Sequence, residues 1–288
     1  MISNAKTAYN GDVFLPQELY GIIGQPLDHS LSPLAHNFGF QSIGLDAVYF
    51  RWPLKPSGLA NFVQAARTLP ISGLSVTIPH KRAVMVLLDG CTGNAMRAGA
   101  VNTIFWRDDR LWGENTDIHG FLSPMSPEEW RRMQRALVLG YGGAARAVLI
   151  GLAKVGVGHV TICGRDQERA AVLAEEFRVH VLDWACRGQW QGDLLINATP
   201  LGMSGKYGQL SPWPAGLSLK GIRTIYDLVY NPLETRLILQ AKNENIATIN
   251  GLEMFLGQAA AQFTLWTGRS FPLSRLRDIA VRHATSFE

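Results

Sequence analysis

One stretch constrains this chain more than any other: Ala136-Leu137-Val138-Leu139-Gly140-Tyr141-Gly142-Gly143-Ala144-Ala145-Arg146-Ala147. Apolar residues run straight into a glycine-rich turn, as when a buried strand feeds a helix. Gly140, Gly142 and Ala145 fall on the G-x-G-x-x-G/A spacing. The first glycine permits the tight turn, the second lets a pyrophosphate approach the backbone, and the small third residue lets helix and strand pack closely. A helix beginning near Gly143 and running through Ala144 would offer free N–H groups and a positive dipole end to those phosphates. Plain packing also produces glycine turns of this kind, so the flanking chain has to decide.

At 288 residues the chain has room for two domains, and 47% hydrophobic with 17% charged residues is the balance of a globular protein with a large core. The net charge of +4 suits a small anionic ligand. No run of lysine or arginine is long enough for a nucleic-acid arm, and Arg131, Arg132 and Arg135 read as a solvated face. Cys91, Cys163 and Cys186 are widely spaced and form no C-x-x-C pair, which argues against disulfides and structural zinc and points to a reducing cytoplasm. Residues 1–12 lack the apolar core of a signal peptide, and apolar runs such as 147–153 are too short to span a bilayer.

The first half reads as alternating elements. A strand over 19–23 leads to a Gly/Pro loop, and Pro33 suits the first turn of the next helix. Extended residues two apart point the same way, so Ser30 and Ser32 can present both hydroxyls to one carboxylate, or else cap the helix. An extended 47–51, a helical 59–69 and a strand over 73–76 imply an α/β unit with a parallel sheet. At the end of that third strand stands Ser75-Val76-Thr77-Ile78-Pro79-His80-Lys81, where open α/β sheets bind ligands. A lysine at a helix start is badly placed for the dipole, so Lys81 wants another reason to be there. His80 has no ligand-spaced partner and reads as structural or surface. After a helical 82–88, residues 104–106 and 111–113 form a hairpin around Asp108-Asp109. Asp117 then opens a helix, as a cap or as a partner for a lysine.

Taken together, Gly24-x-Pro26-x-x-His29-Ser30-x-Ser32-Pro33-x-x-His36-Asn37, Val76-Thr77-Ile78-Pro79-x-Lys81, Gly99-Ala100-Val101-Asn102-Thr103 and Asn115-Thr116-Asp117 resemble the shikimate dehydrogenase family. Four ordered motifs carry the likeness, which extends from about residue 21 to 266.

The nucleotide half follows the same logic. The strand over 159–163 ends in Gly164-Arg165-Asp166. An acidic residue there would hold the ribose hydroxyls of NAD and an arginine the extra phosphate of NADP. The family commonly has Asn-Arg-Thr at this place, so Arg165 favours NADP while Gly164 and Asp166 depart from the pattern and leave NAD possible. A helix over 167–177, extended 179–182 and an apolar 193–196 continue a doubly wound pattern. Asn197-Ala198-Thr199-Pro200-Leu201-Gly202-Met203 follows, which the resemblance places beside the nicotinamide. Residues 202–214 read as a mobile loop. A strand over 224–228 precedes Val229-Tyr230-Asn231-Pro232, whose tyrosine the resemblance puts near the bound acid, although a turn aromatic is the plain alternative. After a short strand over 247–249, Asn250-Gly251 starts a long helix in which Met254, Gln258, Ala261 and Leu265 recur at helical spacing.

The expected architecture is α/β in two domains with a central cleft. Residues 1–118 form a substrate domain completed by C-terminal helices over about 252–288, and 119–251 form a Rossmann-like nucleotide domain. The resemblance implies reversible reduction of 3-dehydroshikimate to shikimate, in aromatic amino acid biosynthesis. It makes Lys81 and Asp117 the acid–base pair, and gives the carboxylate to Ser30 and Ser32. Thr77, Asn102 and Gln258 take the ring hydroxyls, with Tyr230 nearby. It counts Gly140, Gly142, Gly143, Ala144, Arg165, Asp166, Thr199 and Gly251 toward the cofactor, with no metal. Ser75 stands where many members have asparagine, so its substrate contact is expected to be weaker or water-mediated. Tyr141 stands where a small residue is usual. A quinate/shikimate dehydrogenase using NAD or NADP is the nearest rival. A non-catalytic binding or regulatory relative is another, and an unrelated folate-linked dehydrogenase would have no use for these motifs. A monomer or homodimer acting on a small molecule, without nucleic acid or membrane, completes the expectation.

Overall fold

The computed structural model describes residues 15–28 and 30–285, so the readings made on residues 1–12 and on His29 lie outside the described residues, as do 13–14 and 286–288. Two six-stranded sheets organise the chain. The first contains β1 (Glu18–Gly24), α1 (Ser32–Ser42), β2 (Ala47–Pro53), α2 (Leu59–Ala66), β3 (Ile71–Val76), β4 (Gly90–Cys91), α3 (Gly93–Ala98), β5 (Thr103–Arg107) and β6 (Arg110–Glu114). Helices α4 (Asp117–Leu122) and α5 (Pro127–Arg131) lead out of it. The second contains β7 (Arg135–Leu139), α6 (Gly143–Lys154), β8 (His159–Cys163), α7 (Gln167–Phe177), β9 (His180–Leu182), β10 (Gly192–Asn197), β11 (Ile222–Asp227), α8 (Arg236–Asn243) and β12 (Ala247–Ile249). Helices α9 (Gly251–Thr267) and α10 (Leu273–Thr285) close the chain.

The second sheet runs β12-β11-β10-β7-β8-β9, and every pairing is parallel. That order is the doubly wound one, with its switch point between β7 and β10. Residues 136–139 and 194–196 are buried throughout, the unbroken apolar run of strands covered on both faces. Gly140 sits at the switch point with φ +112°, and a Cβ there would lie 2.8 Å from the Ala198 carbonyl oxygen. Only glycine fits both the backbone and the space.

The first sheet runs β2-β1-β3-β5-β6-β4: the expected parallel unit holds for its first three strands, and the hairpin makes the whole sheet mixed. Strands β1, β2 and β3 are parallel, and the hairpin β5–β6 then adds antiparallel to β3. The hairpin forms because Asp108 and Asp109 both take positive φ, at 49° and 56°, as a two-residue primed turn demands. The expected helical segment at 82–88 is present as a 3-10 helix over 83–87. Residues 202–214 form neither helix nor strand, as a loop should, but the loop is anchored at its end, where Trp213 is buried against the second sheet.

Helices α9 and α10 return to the first sheet, where Phe255, Phe263, Phe271 and Leu276 join Tyr20, Phe40 and Tyr49 in one core. The expected stripe on α9 holds at Met254, which is buried, and shifts beyond it: Leu265 is exposed, and the buried face continues through Leu252, Phe255, Leu256, Ala259, Gln262 and Phe263. A smaller cluster of Ala98, Ala100, Ile118, Ala147 and Ile150 packs α3 and α4 against α6 and so joins the two halves. Arg146 adds to this joint by donating to the Ala98 carbonyl at 2.6 Å while its other nitrogens pair with Glu176.

Candidate active site

The carboxyl ends of β1, β3 and β6 and the start of β5 lie along one edge of the first sheet, because β5 runs against its neighbours. Lys81 and Asn102 come from loops on that edge and Asp117 from the start of α4. Lys81 Nζ donates to Asp117 Oδ2 at 2.6 Å, with the side chains 24% and 12% exposed, so the pair is sheltered and still reachable from solvent. The other carboxylate oxygen accepts from Asn102 Nδ2 at 2.8 Å. Asp117 is therefore the first residue of α4 without capping it. Its carboxylate is spent on Lys81 and Asn102.

Asn102 is itself held on all sides. Its oxygen accepts from the Thr116 N–H and the Thr103 hydroxyl, each at 2.8 Å, and its amide also reaches Thr116 Oγ1 at 2.9 Å. Behind it stands Gln262, which the sequence reading missed. Gln262 is 1% exposed. Its amide donates to the Asn102 carbonyl and to Thr103 Oγ1, and its oxygen accepts from Ser75 Oγ at 2.9 Å. Ser75 Oγ in turn accepts from the Tyr49 hydroxyl at 2.6 Å, and that hydroxyl also lies against Ser32. One hydrogen-bonded network thus runs from the Ser-x-Ser loop through Tyr49, Ser75, Gln262 and Asn102 to Asp117 and Lys81. The signal for Gln262 was present: it follows Gln258 by four residues, so both amides project from one side of α9.

Burial shapes the groups around this network. His36 stacks on Tyr49 with ring centroids 4.7 Å apart and meets Gln262 Oε1. Burial pulls its pKa down to about 3, opposed by the hydrogen bond it makes to the Gln262 oxygen. His80, buried, bonds the Leu54 carbonyl at 2.7 Å and is structural. Ser30 Oγ accepts the Ser32 N–H at 3.3 Å at the head of α1. Thr77 is half-buried in the turn after β3. The loops after β1 and β3 are tied together by the Gln25 N–H donating to the Ile78 carbonyl. Gln258 crosses α4 at Gly120, one turn beyond Asp117, and donates to the Phe255 carbonyl. Tyr230 packs its ring on Phe255 at 5.5 Å, and burial raises its phenol pKa.

The edge of the second sheet is built differently. Gly142 caps α6 without a side-chain hydrogen bond, and no acidic residue occupies the first turn of that helix. A Cβ at Gly142 or Gly143 would meet nothing within 4 Å. A twelve-residue helix with bare N–H groups and open space in front fits a pyrophosphate, with Ala144 N–H in the same turn. Arg165 is exposed just beyond the end of β8. Asp166 caps α7 by accepting the Arg169 N–H at 3.1 Å, and its carboxylate also pairs with Arg169 Nε at 3.2 Å. Thr199 folds its hydroxyl onto Asn197 Oδ1 at 2.7 Å and so shapes the turn after β10. Gly251 lets α9 begin against β11, since a Cβ there would lie 2.3 Å from the Leu228 carbonyl oxygen. Asp227, buried below that turn, accepts from Asn197, Thr235 and the Val229 N–H. Burial raises its pKa to about 6, while those three donors oppose the rise. Among the described residues no group of histidine, cysteine or acidic side chains could hold a metal ion, and no helix is long and apolar enough to cross a membrane.

Comparison with known proteins bears on this arrangement. Residues 22–104 match the shikimate dehydrogenase substrate binding domain, and residues 251–280 match the shikimate 5'-dehydrogenase C-terminal domain. A shikimate dehydrogenase (NADP(+)) of Maridesulfovibrio salexigens is 46% identical over 93% of this chain and 98% of its own length. The crystal structure of a Thermus thermophilus shikimate 5-dehydrogenase with NADP(H) and shikimate superposes with TM-score 0.82 at 36% identity, covering 93% of this chain and 99% of that one. A quinate dehydrogenase of Corynebacterium glutamicum in complex with NAD gives the same TM-score, 0.82, at 31% identity, over 92% of this chain and 98% of that one. With near-complete relatives on both measures, the chain belongs to the shikimate dehydrogenase family.

Proposed function

We propose that this protein is an NADP-linked shikimate dehydrogenase that reduces 3-dehydroshikimate reversibly to shikimate. The observation that carries the reading is the Lys81–Asp117 pair at 2.6 Å, fixed from behind by Asn102 and Gln262. When bound, the cofactor would supply the hydride as NADPH in the reduction and accept it as NADP+ in the reverse, which the protein has no group to do. Lys81 gives a proton to the substrate oxygen as the carbonyl becomes an alcohol, and takes it back in the reverse direction. Asp117 orients the ammonium and balances its charge, and Asn102 keeps the carboxylate from turning away.

Ser30 and Ser32 hold the substrate carboxylate at the head of α1. Thr77, Asn102 and Gln258 receive the ring hydroxyls beside Tyr230, and fixing several at once turns binding energy into orientation. Ser75 acts through the network, because its hydroxyl is already shared between Tyr49 and Gln262. Gly142, Gly143 and Ala144 receive the pyrophosphate on bare N–H groups behind the Gly140 turn, and Arg165 the 2′-phosphate. With Asp166 engaged by α7, that phosphate meets no free carboxylate. Thr199 and Gly251 border the nicotinamide. In this reading residues 1–118 with 252–288 form the substrate domain and 119–251 the nucleotide domain. The enzyme works in the cytoplasm as a monomer or homodimer, where free Cys91, Cys163 and Cys186 stay reduced.

Steady-state oxidation of shikimate and of quinate, each with NADP and with NAD, tests this in one buffer. Shikimate with NADP is expected to lead. Quinate with NAD in the lead would move the protein to the rival branch, and silence in all four from a folded sample would leave a binding protein.

A further inference from the structure

The departure at Tyr141 and the departure at Gly164 occupy one place. A Cβ at Gly164 would lie 2.3 Å from Tyr141 Cδ1 and 2.6 Å from Cε1. The tyrosine ring therefore fills the space where any other residue at 164 would put its side chain. Strands β7 and β8 are neighbours, with Leu139 opposite Cys163, and the Gly140 N–H donates to the Cys163 carbonyl at 2.8 Å. From the glycine turn the ring thus spans to the end of β8, where a doubly wound sheet recognises the adenosine ribose. It is half-buried and packs on the core of the second sheet, so its position is supported from behind.

The other groups at this edge sharpen the picture. Arg165 follows Gly164 directly, and Asp166 is tied to the first turn of α7 and to Arg169. What remains for a ligand is an aromatic ring, a guanidinium and backbone. We infer that Tyr141 and Gly164 form one recognition unit for the adenosine ribose, in which the Tyr141 ring walls the 2′-phosphate end of the cofactor against Arg165. This rests on the NADP reading above. A ring and a guanidinium suit a phosphorylated ribose, since the phosphate takes the fork of donors and the sugar and base take the apolar wall. A bare 2′,3′-diol gains less from this edge, because the one carboxylate beside it, Asp166, is already shared with the Arg169 N–H and guanidinium.

Calorimetric titration of NADP, NAD and adenosine 2′,5′-bisphosphate tests the unit without relying on turnover. The protein would be the full chain as wild type, Tyr141→Phe, Tyr141→Ala, Gly164→Asn and the double variant Tyr141→Ala/Gly164→Asn. Tyr141→Ala is expected to weaken NADP and the bisphosphate about tenfold and NAD less than about threefold, the scale of losing one ring contact. Tyr141→Phe keeps the wall and stays within about twofold of wild type. Gly164→Asn expels the ring and weakens NADP similarly. The double variant binds no worse than Tyr141→Ala, because the asparagine then has the space. An unchanged NADP affinity in Tyr141→Ala, an equal loss for NAD, or additive losses in the double variant would overturn the inference. If Gly164→Asn does not fold, the NADP-to-NAD ratio of Tyr141→Ala decides alone. A wild type that binds NADP and does not oxidise shikimate overturns the enzymatic reading and leaves this unit standing.

Discussion

The two sheet edges are built by opposite means, and under the proposed function they meet opposite recognition problems. On the first, side chains are bonded to one another before any ligand arrives, from Tyr49 and Ser75 through Gln262 and Asn102 to Asp117 and Lys81. On the second, the working surface is backbone: glycines with open space in front of them and the uncapped head of α6. A polyhydroxylated acid has to be told from its near relatives, which needs donors and acceptors at fixed places. A pyrophosphate needs only N–H groups and room. The first edge therefore fails through lost partners, the second through added atoms.

The largest expected effect is at the acid–base pair. Lys81→Ala and Asp117→Asn should each lower kcat about 10²- to 10⁴-fold while far-UV dichroism and NADP affinity stay as in wild type. A loss below tenfold in either variant, at unchanged fold, would remove the pair from the mechanism.

Next comes a contrast between the edges. Gln262→Leu leaves the Asn102 carbonyl, Thr103 and Ser75 short of a partner, and should lower unfolding stability by about 3 kcal/mol in urea titration. Gly142→Ala puts a methyl into open space at an ordinary φ of −83°, so stability should hold while NADP binding weakens. Equal stability losses from both would erase the distinction.

The edges also differ in pH response. His36 has its pKa lowered by burial, so its contribution to stability is complete above its unfolded value near 6.5 and is lost as pH falls toward about 3. Asp227 has its pKa raised by burial, so it penalises the fold increasingly as pH rises from about 3.8 to about 6, and the penalty vanishes in acid. Between pH 6 and 4 the two oppose each other, each with a limiting slope of about 1.4 kcal/mol per pH unit. His36→Phe should make the protein gain stability on mild acidification, and Asp227→Asn should make it lose more than wild type does. Parallel curves for all three proteins would show that neither group titrates with folding.

The smallest effect is expected at the end of β8. Arg165→Ala should weaken NADP about tenfold and leave NAD nearly unchanged, measured by calorimetry. A matching loss for NAD would place the guanidinium elsewhere on the cofactor.

Much of this was legible from residues close together in the chain. The Gly140 turn, the alternation of strands and helices in the second half and the Asp108-Asp109 hairpin all rest on local patterns with a local physical cause. The mixed first sheet was not, because a hairpin can add to either edge of a strand in either sense, and only the packing of β5 on β3 chose. The buried face of α9 shifted because Gln262, a polar residue, is taken inside. Its partners Ser75 and Asn102 lie 187 and 160 residues away.

What the sequence determined by itself is which groups exist and which backbone each can adopt: glycine where φ is positive, a helix start without acid, a lysine and an aspartate after strand ends. What tertiary structure decided is which of those groups spend their hydrogen bonds on each other. Ser75 and Asp166 look free in the sequence and are engaged in the fold, and Tyr141 and Gly164 look unrelated and share one space. The reason is that hydrogen bonding and steric exclusion act over a few ångströms in space without regard to separation along the chain.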